Sequence, residues 1–275
     1  MSEVIRKLKF IVDEDLLVKD FIKQKISRNF YKYSKNIQAV YYRNNEIVKT
    51  YMELDKGDEF RIEYHLFEEK ENHFKIDKEI EILYEDDYYI IANKEAGLLS
   101  IPSSKELDSV FGRLLNHLKN TPYFPHILNR LDKDTRGLIL VSKCSLSASL
   151  INDVKKRYWA LTRFPLHDEE GVIDKPIKKS AYSIKREISP LGKKARTHYQ
   201  LIEEKNGIYR YDVTLENGRT HQIRLHFSSE GSPLISDPLY GQKEEGQNLG
   251  LICYKISFIH PFTNELIGIE IGILD

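Results

Sequence analysis

Three segments of the chain combine residue types that can do chemistry. The first is Asn129-Arg130-Leu131-Asp132-Lys133-Asp134-Thr135-Arg136-Gly137, the second Lys156-Arg157-Tyr158-Trp159-Ala160-Leu161, and the third Asn217-Gly218-Arg219-Thr220-His221-Gln222-Ile223-Arg224-Leu225-His226. They offer a carboxylate on a turn, a phenol at a strand start and a polar stretch with two arginines. A carboxylate on a turn can attack as a nucleophile or stabilise developing positive charge. A guanidinium beside it keeps it ionised and fixes its direction. Each segment alone also has an ordinary reading. Asp132 or Asp134 would serve as a turn former or helix cap, Tyr158 is one of 17 tyrosines, and Arg224 would suit a surface ion pair.

The elements around these segments follow from hydrophobic spacing. Gly137 to Ser142 is a compact apolar strand, and 158–162, 196–203, 209–215, 251–259 and 266–273 also suit strands. Residues 80–84 and 88–92 read as strands around the acidic turn Glu85-Asp86-Asp87. Helices are expected over 107–118, 146–154 and 219–228. Strands that follow one another without helices favour an α+β fold with a largely antiparallel sheet. Ahead of it lies a small α+β unit over residues 1–67. Its helix at 18–26 has Asp13 or Asp15 as candidate cap, and Ser27 opens a second helix to about Val40. Turns follow at Asn44-Asn45 and Gly57-Asp58, with a strand at 59–64. The charged stretch 68–79 reads as a linker to a catalytic unit at 80–275.

Composition narrows the function classes. The 275 residues carry 42 Lys+Arg and 42 Asp+Glu, a formal net charge of zero. That average argues against a polyanion-binding protein. It conceals a pattern: residues 112–225 carry 22 basic and 12 acidic side chains, a net of +10, while 81–111 and 226–275 each carry 2 and 7, a net of −5. Such a stretch suits either solvated helix faces or a phosphate-binding surface acting through counterion release, and charge counting does not choose between them. No apolar run approaches the roughly 20 residues of a membrane span, and the N-terminus has no signal-peptide core. Two cysteines, Cys144 and Cys253, without metal-type spacing fit a reduced, cytoplasmic protein.

Taken together, the three segments resemble the signature blocks of the RluA/RluD-type RNA pseudouridine synthases. The matching residues are Arg130-Leu131-Asp132-x-x-Thr135-x-Gly137, Lys156-x-Tyr158-x-Ala160-Leu161 and Gly218-Arg219-Thr220-His221-Gln222-Ile223-Arg224-x-His226. Three further blocks are similar: Ile82 to Asp87 with Asn93-Lys94-x-Ala96-Gly97-Leu98, Gly231-Ser232-Pro233-Leu234 with Asp237-Pro238-x-Tyr240-Gly241, and Phe258-Ile259-His260-Pro261. The resemblance covers about residues 80–275, in order. Asn129, Arg136, Glu95 and Asn217 depart from the residues usual in the family. The N-terminal unit is more weakly similar to the alpha-L RNA-binding domain, through Ile26-Ser27-Arg28, Asn44-Asn45, Val48 and Gly57-Asp58.

The resemblance implies a reaction that breaks the bond between ribose carbon 1 and uracil nitrogen 1, rotates the base and rejoins it through carbon 5. It places Asp132 as the essential carboxylate, acting by attack, charge stabilisation or proton abstraction. Arg224 would be its salt-bridge partner, and Tyr158 would stack on the uracil and could help remove the carbon 5 proton. Arg130, Thr135, Arg219, His221 and Gln222 would bind substrate, with Arg130 beside a flipped-out base. Lys155, Lys156, Arg157, Lys178, Lys179, Lys185, Arg186, Lys193, Lys194 and Arg196 are candidate backbone contacts. The implied partner is structured RNA, most often large-subunit ribosomal RNA, with transfer RNA as the alternative. A monomer without cofactor or metal is expected. A non-catalytic RNA-binding or ribosome-assembly protein is the competing reading, ahead of a glycoside hydrolase, which would need a second carboxylate at the site.

Overall fold

A computed structural model describes residues 5–26, 28–34, 38–65, 75–121, 123–181 and 183–272. The N-terminal elements are β1 (Ile5–Ile11), β2 (Leu16–Leu17), α1 (Val18–Phe21), a π-helical turn (Ile22–Ile26), α2 (Arg28–Tyr33), β3 (Val40–Arg43), β4 (Glu46–Val48), β5 (Glu53–Leu54) and β6 (Glu59–His65). A four-stranded sheet runs in the order β1-β6-β3-β4, and β2 pairs with β5. Leu8, Phe21, Ile22, Phe60 and Ile62 form the core between sheet and helices. Asn44 and Asn45 both have positive φ, 48° and 72°, as a tight hairpin turn between β3 and β4 requires.

Several expectations change here. Strand β1, which carries Leu8 and Phe10, pairs along its length with β6 and was not anticipated. Neither Asp13 nor Asp15 caps α1. Leu17 is the N-cap without a side-chain bond; Asp13 pairs with Lys25 and Asp15 accepts the Lys56 N–H. The second helix ends at Tyr33, and Val40 opens β3; Ser27 lies outside the described residues. So does most of the expected linker, since 66–74 are not described, while 75–79 form no regular element.

The remaining elements are β7 (Glu81–Glu85), β8 (Tyr89–Lys94), α3 (Val110–His117), β9 (His126–Ile127), β10 (Arg136–Ser142), α4 (Ser145–Leu150), β11 (Lys155–Thr162), β12 (Glu170–Asp174), β13 (Ile177–Lys179), β14 (Arg186–Ile188), β15 (Arg196–Lys205), β16 (Ile208–Leu215), α5 (Gln222–Ser229), β17 (Leu251–Ile259) and β18 (Leu266–Glu270). One large sheet runs β12-β15-β16-β11-β17-β10-β8-β7, with β18 added to β17 and β9 to β10. All its pairings are antiparallel except a short parallel contact of β10 with β17 at Arg136–Ile252 and Gly137–Cys253. The fold is therefore α+β with a largely antiparallel central sheet.

Strand β10 is buried on both faces: Leu138, Ile139, Leu140 and Val141 have no exposed surface. Hence its unbroken apolar run, each side chain contributing about 1.5–3 kcal/mol. Ser109 caps α3 by accepting the Gly112 N–H at 3.1 Å. Leu146 and Leu150 of α4 join the apolar cluster of the N-terminal unit.

The crossing of β10 and β17 is tight. Gly137 has φ +109°, and a Cβ there would collide with the Cys253 backbone. A left-handed backbone of this kind is open to glycine alone at low cost. We expect Gly137→Ala to destabilise the fold by at least about 3 kcal/mol, the sum of strain and a backbone clash. Urea unfolding measures it; an unchanged midpoint would contradict the crossing.

Candidate active site

The loop from β9 to β10 carries Asp132 and is fixed from below. Ser100 Oγ donates to the Leu131 carbonyl at 2.8 Å and accepts the Leu131 N–H at 3.0 Å. The Lys94 ammonium, fully buried, donates to the carbonyls of Glu95, Leu98 and Lys133 at 3.0, 2.7 and 2.8 Å. Burial pulls its pKa down to about 8, while Asp134 and Asp132 favour the charged form. The Thr135 N–H bonds the Asp132 carbonyl at 3.1 Å and closes the turn. Asn129 is a bridge within the protein: its amide donates to Leu138 O and accepts Leu140 N–H.

Helix α5 supplies the opposite wall. It starts after His221, whose φ of 59° is left-handed, and places His221 and Arg224 one turn apart on the face toward Asp132. Arg224 is 2% exposed and holds Asp237, 0% exposed, by two bonds: Nε–Oδ2 at 2.9 Å and Nη2–Oδ1 at 2.7 Å. Asp237 Oδ1 also accepts the N–H groups of Leu239 and Tyr240. The third guanidinium nitrogen, Nη1, lies 3.6 Å from Asp132 Oδ2. The expected Arg224–Asp132 pair is thus the looser of two contacts, and Asp237 is the main partner. Burial opposes the charge on Arg224, and Asp237 with Asp132 more than restores it. Burial likewise opposes the charge on Asp237, but Arg224 and the two backbone donors hold its pKa below the usual value.

Tyr158 projects from β11 where the register with β17 shifts, between Arg157 and Tyr158. Such a bulge re-aims a side chain. The phenol is 8% exposed. Burial, with the Cys253 thiol and Asp132 nearby, pushes its pKa well above the usual range, so it is a neutral phenol near pH 7.

All eight residues named from sequence, Arg130, Asp132, Thr135, Tyr158, Arg219, His221, Gln222 and Arg224, line one cleft of about 1120 Å³. That exceeds the usual 300–1,000 Å³ of small-molecule sites. They differ in what they leave free. Gln222 is fully engaged: its Oε1 accepts Arg219 N–H, and its amide donates to Arg196 O and Thr197 Oγ1. Arg219 donates Nε to Lys194 O. Thr135 is buried with its hydroxyl unpartnered. Arg130, Lys155 and Lys156, also on the cleft, form no ion pair with the described residues. Asp132 is 26% exposed. Arg157 instead pairs with Asp212, Arg196 with Asp174 and Glu216 and Lys178 with Glu187, so these three of the candidate backbone contacts are already engaged. Sequence reasoning did not assign Asp237, Tyr240, Lys94 or Ser100 a part in the site, although the first three lie in the similar blocks quoted above.

Comparison with known proteins bears on this cleft. A family profile described as RNA pseudouridylate synthase matches residues 88–229, which include the eight cleft residues named from sequence. An uncharacterized RNA pseudouridine synthase of Bacillus subtilis, YjbO, is 36% identical over 197 residues, 68% of this chain and 70% of its own length. The chain belongs to the RNA pseudouridylate synthase family. The synthase is also 34% identical to ribosomal large subunit pseudouridine synthase D of Nitrosomonas europaea over 68% of this chain and 60% of that protein. Its fold matches human RNA pseudouridylate synthase domain containing 1 with a TM-score of 0.60 at 18% identity, over 70% of this chain and 83% of that one. Its activity class is therefore RNA pseudouridylation.

The Arg224–Asp237 pair yields a stability prediction. Asp237→Asn leaves a buried guanidinium without its main counter-charge, which costs roughly 3–5 kcal/mol. Because the folded pKa of Asp237 is lowered, its contribution is present above the ordinary carboxylate pKa and is lost as pH falls through the folded value. Chemical denaturation at pH 7 should show the full deficit, and the gap to wild type should narrow as pH falls below about 4.

Proposed function

We propose that the synthase converts specific uridines of large-subunit ribosomal RNA to pseudouridine, with Asp132 as the essential carboxylate. The observation that carries the reading is Asp132 itself, partly exposed at a cation-lined cleft and backed by the buried Arg224–Asp237 pair. The large-subunit substrate is favoured by the kinship with a protein named for that subunit. Breaking the glycosidic bond builds positive charge on the ribose, and a carboxylate placed on a rigid turn stabilises it. Arg224 contributes by orienting that carboxylate, while Tyr158, a neutral phenol, stacks on the freed uracil as it turns.

A uridine in structured RNA must leave its stack to enter such a cleft. Arg130, exposed and without an ion pair among the described residues, suits the space left behind or a flanking phosphate. The buried Thr135 hydroxyl, without a partner among the described residues, is available to a ribose or uracil oxygen. Lys155 and Lys156 extend the cationic lining along the strand that carries Tyr158. Residues 1–67 are read, on their resemblance, as an accessory RNA-binding unit.

Pseudouridine mapping of all RNA from a deletion strain, complemented with wild type or Asp132→Asn, tests the assignment. At least one large-subunit position should lose its modification and regain it only with wild type. Purified Asp132→Asn should lose at least about 10³-fold in turnover while still binding RNA. No missing pseudouridine in any RNA would leave a non-catalytic RNA-binding protein. Binding should also weaken with salt, and Lys156→Ala should flatten the log–log salt slope by about 0.7–0.9, one phosphate contact.

A further inference from the structure

His221 was expected to touch substrate, yet its ring is held by the protein on one side and aimed at Asp132 on the other. Tyr240 Oη accepts the backbone N–H of Arg186 at 2.6 Å and lies 3.0 Å from His221 Nδ1. With one acceptor site filled by Arg186, the hydroxyl hydrogen is free to go to Nδ1. An imidazole whose Nδ1 accepts carries its proton on Nε2. That nitrogen lies 3.9 Å from Asp132 Oδ2, the same oxygen that Arg224 Nη1 approaches at 3.6 Å. Both gaps exceed direct hydrogen-bond length, and contacts of this kind tighten when substrate fills a site.

We propose that Tyr240 and His221 are positioning residues for Asp132: Tyr240 fixes the imidazole as the Nε2–H form, and this N–H together with Arg224 holds Oδ2, leaving Oδ1 to meet the ribose. The proposal rests on Asp132 being the essential carboxylate. Three observations support it besides the distances. His221 sits in a left-handed conformation that costs a non-glycine residue energy. Its charged neighbours are Asp132, Arg224, Arg186 and Asp237; burial and the two guanidinium groups lower its pKa against the pull of the carboxylates, so the ring is neutral at pH 7. The Tyr240 ring is also clamped, with the Arg224 guanidinium 5.6 Å from its centroid, so loss of the hydroxyl alone leaves the ring packed. The Arg186 N–H comes from β14, and the chain Arg186–Tyr240–His221–Asp132 therefore ties a surface hairpin rich in lysine to the carboxylate.

The test uses the full chain, large-subunit ribosomal RNA from the deletion strain, and the variants Tyr240→Phe, His221→Gln and their combination. Glutamine keeps an N–H where Nε2 stood and needs no tautomer to be chosen. Tyr240→Phe should lower kcat about 10-fold, equivalent to ~1.4 kcal/mol, with KM changed less than about 2-fold. In the His221→Gln background the same change should alter kcat less than about 2-fold, since the coupling runs through the ring. Two-bond ¹H–¹⁵N spectra of the RNA-free protein should show His221 protonated on Nε2 in wild type and lose that preference in Tyr240→Phe. An unchanged kcat in Tyr240→Phe, an equal loss in the glutamine background, or protonation of His221 on Nδ1 in wild type would overturn the proposal. A wild-type protein that makes no pseudouridine in any RNA would instead remove the functional reading, and the spectra would still report on the tautomer.

Discussion

The constraint on which the site depends is the burial of a charge. Arg224, among the largest fully buried side chains, can be buried as a cation only while carboxylates surround it, because desolvating an unpaired guanidinium costs several kcal/mol. Asp237 meets most of that need with two bonds and is itself completed by backbone N–H groups of its own turn. Once this pair is formed, α5, the turn at 237–240 and the wall of the cleft are locked to one another. The one guanidinium nitrogen left over faces Asp132. A residual field is thereby aimed at Asp132, the proposed catalytic group, while the cost of burial is met elsewhere.

The β9–β10 loop answers that field with a rigid mount. Lys94 and Ser100 hold its carbonyls and amides from beneath, so the carboxylate is presented by backbone that cannot drift. The mount continues into β10, whose apolar strand is sealed on both faces, and into the glycine crossing with β17. Tyr158 reaches the cleft from the far side of that crossing. Strand, crossing and bulge together decide the distance between the phenol and the carboxylate.

Much of this was legible in the sequence. The continuous apolar run 137–142 marks a strand buried on both faces, and the strand bounds read at 137–142 and 251–259 match closely. The eight site residues were legible because they cluster in three short blocks. What stayed hidden is non-local. Asp237 and Asp132 were both available to Arg224, and nothing in spacing says which takes the bidentate position. Lys94 reads as an ordinary surface lysine until the fold brings Lys133, 39 residues on, within its reach. Gln222 looked free for substrate because its partners, Arg196 and Thr197, come from another strand. Strand β1 was missed because Leu8 and Phe10 alternate with basic residues, a pattern that its edge position in the sheet explains.

The sharing of one apolar cluster between the N-terminal unit and α4 bears on how the chain can be divided. Leu146 and Leu150, 3% and 7% exposed, pack in the same apolar cluster as the N-terminal core. The two units are thus soldered together and are not beads on a string. A catalytic fragment cut free at the charged stretch would carry a greasy scar over α4, with about 1.5–3 kcal/mol of lost burial for each leucine. Evolutionary exchange of the front unit for another would have to supply a replacement surface for that helix.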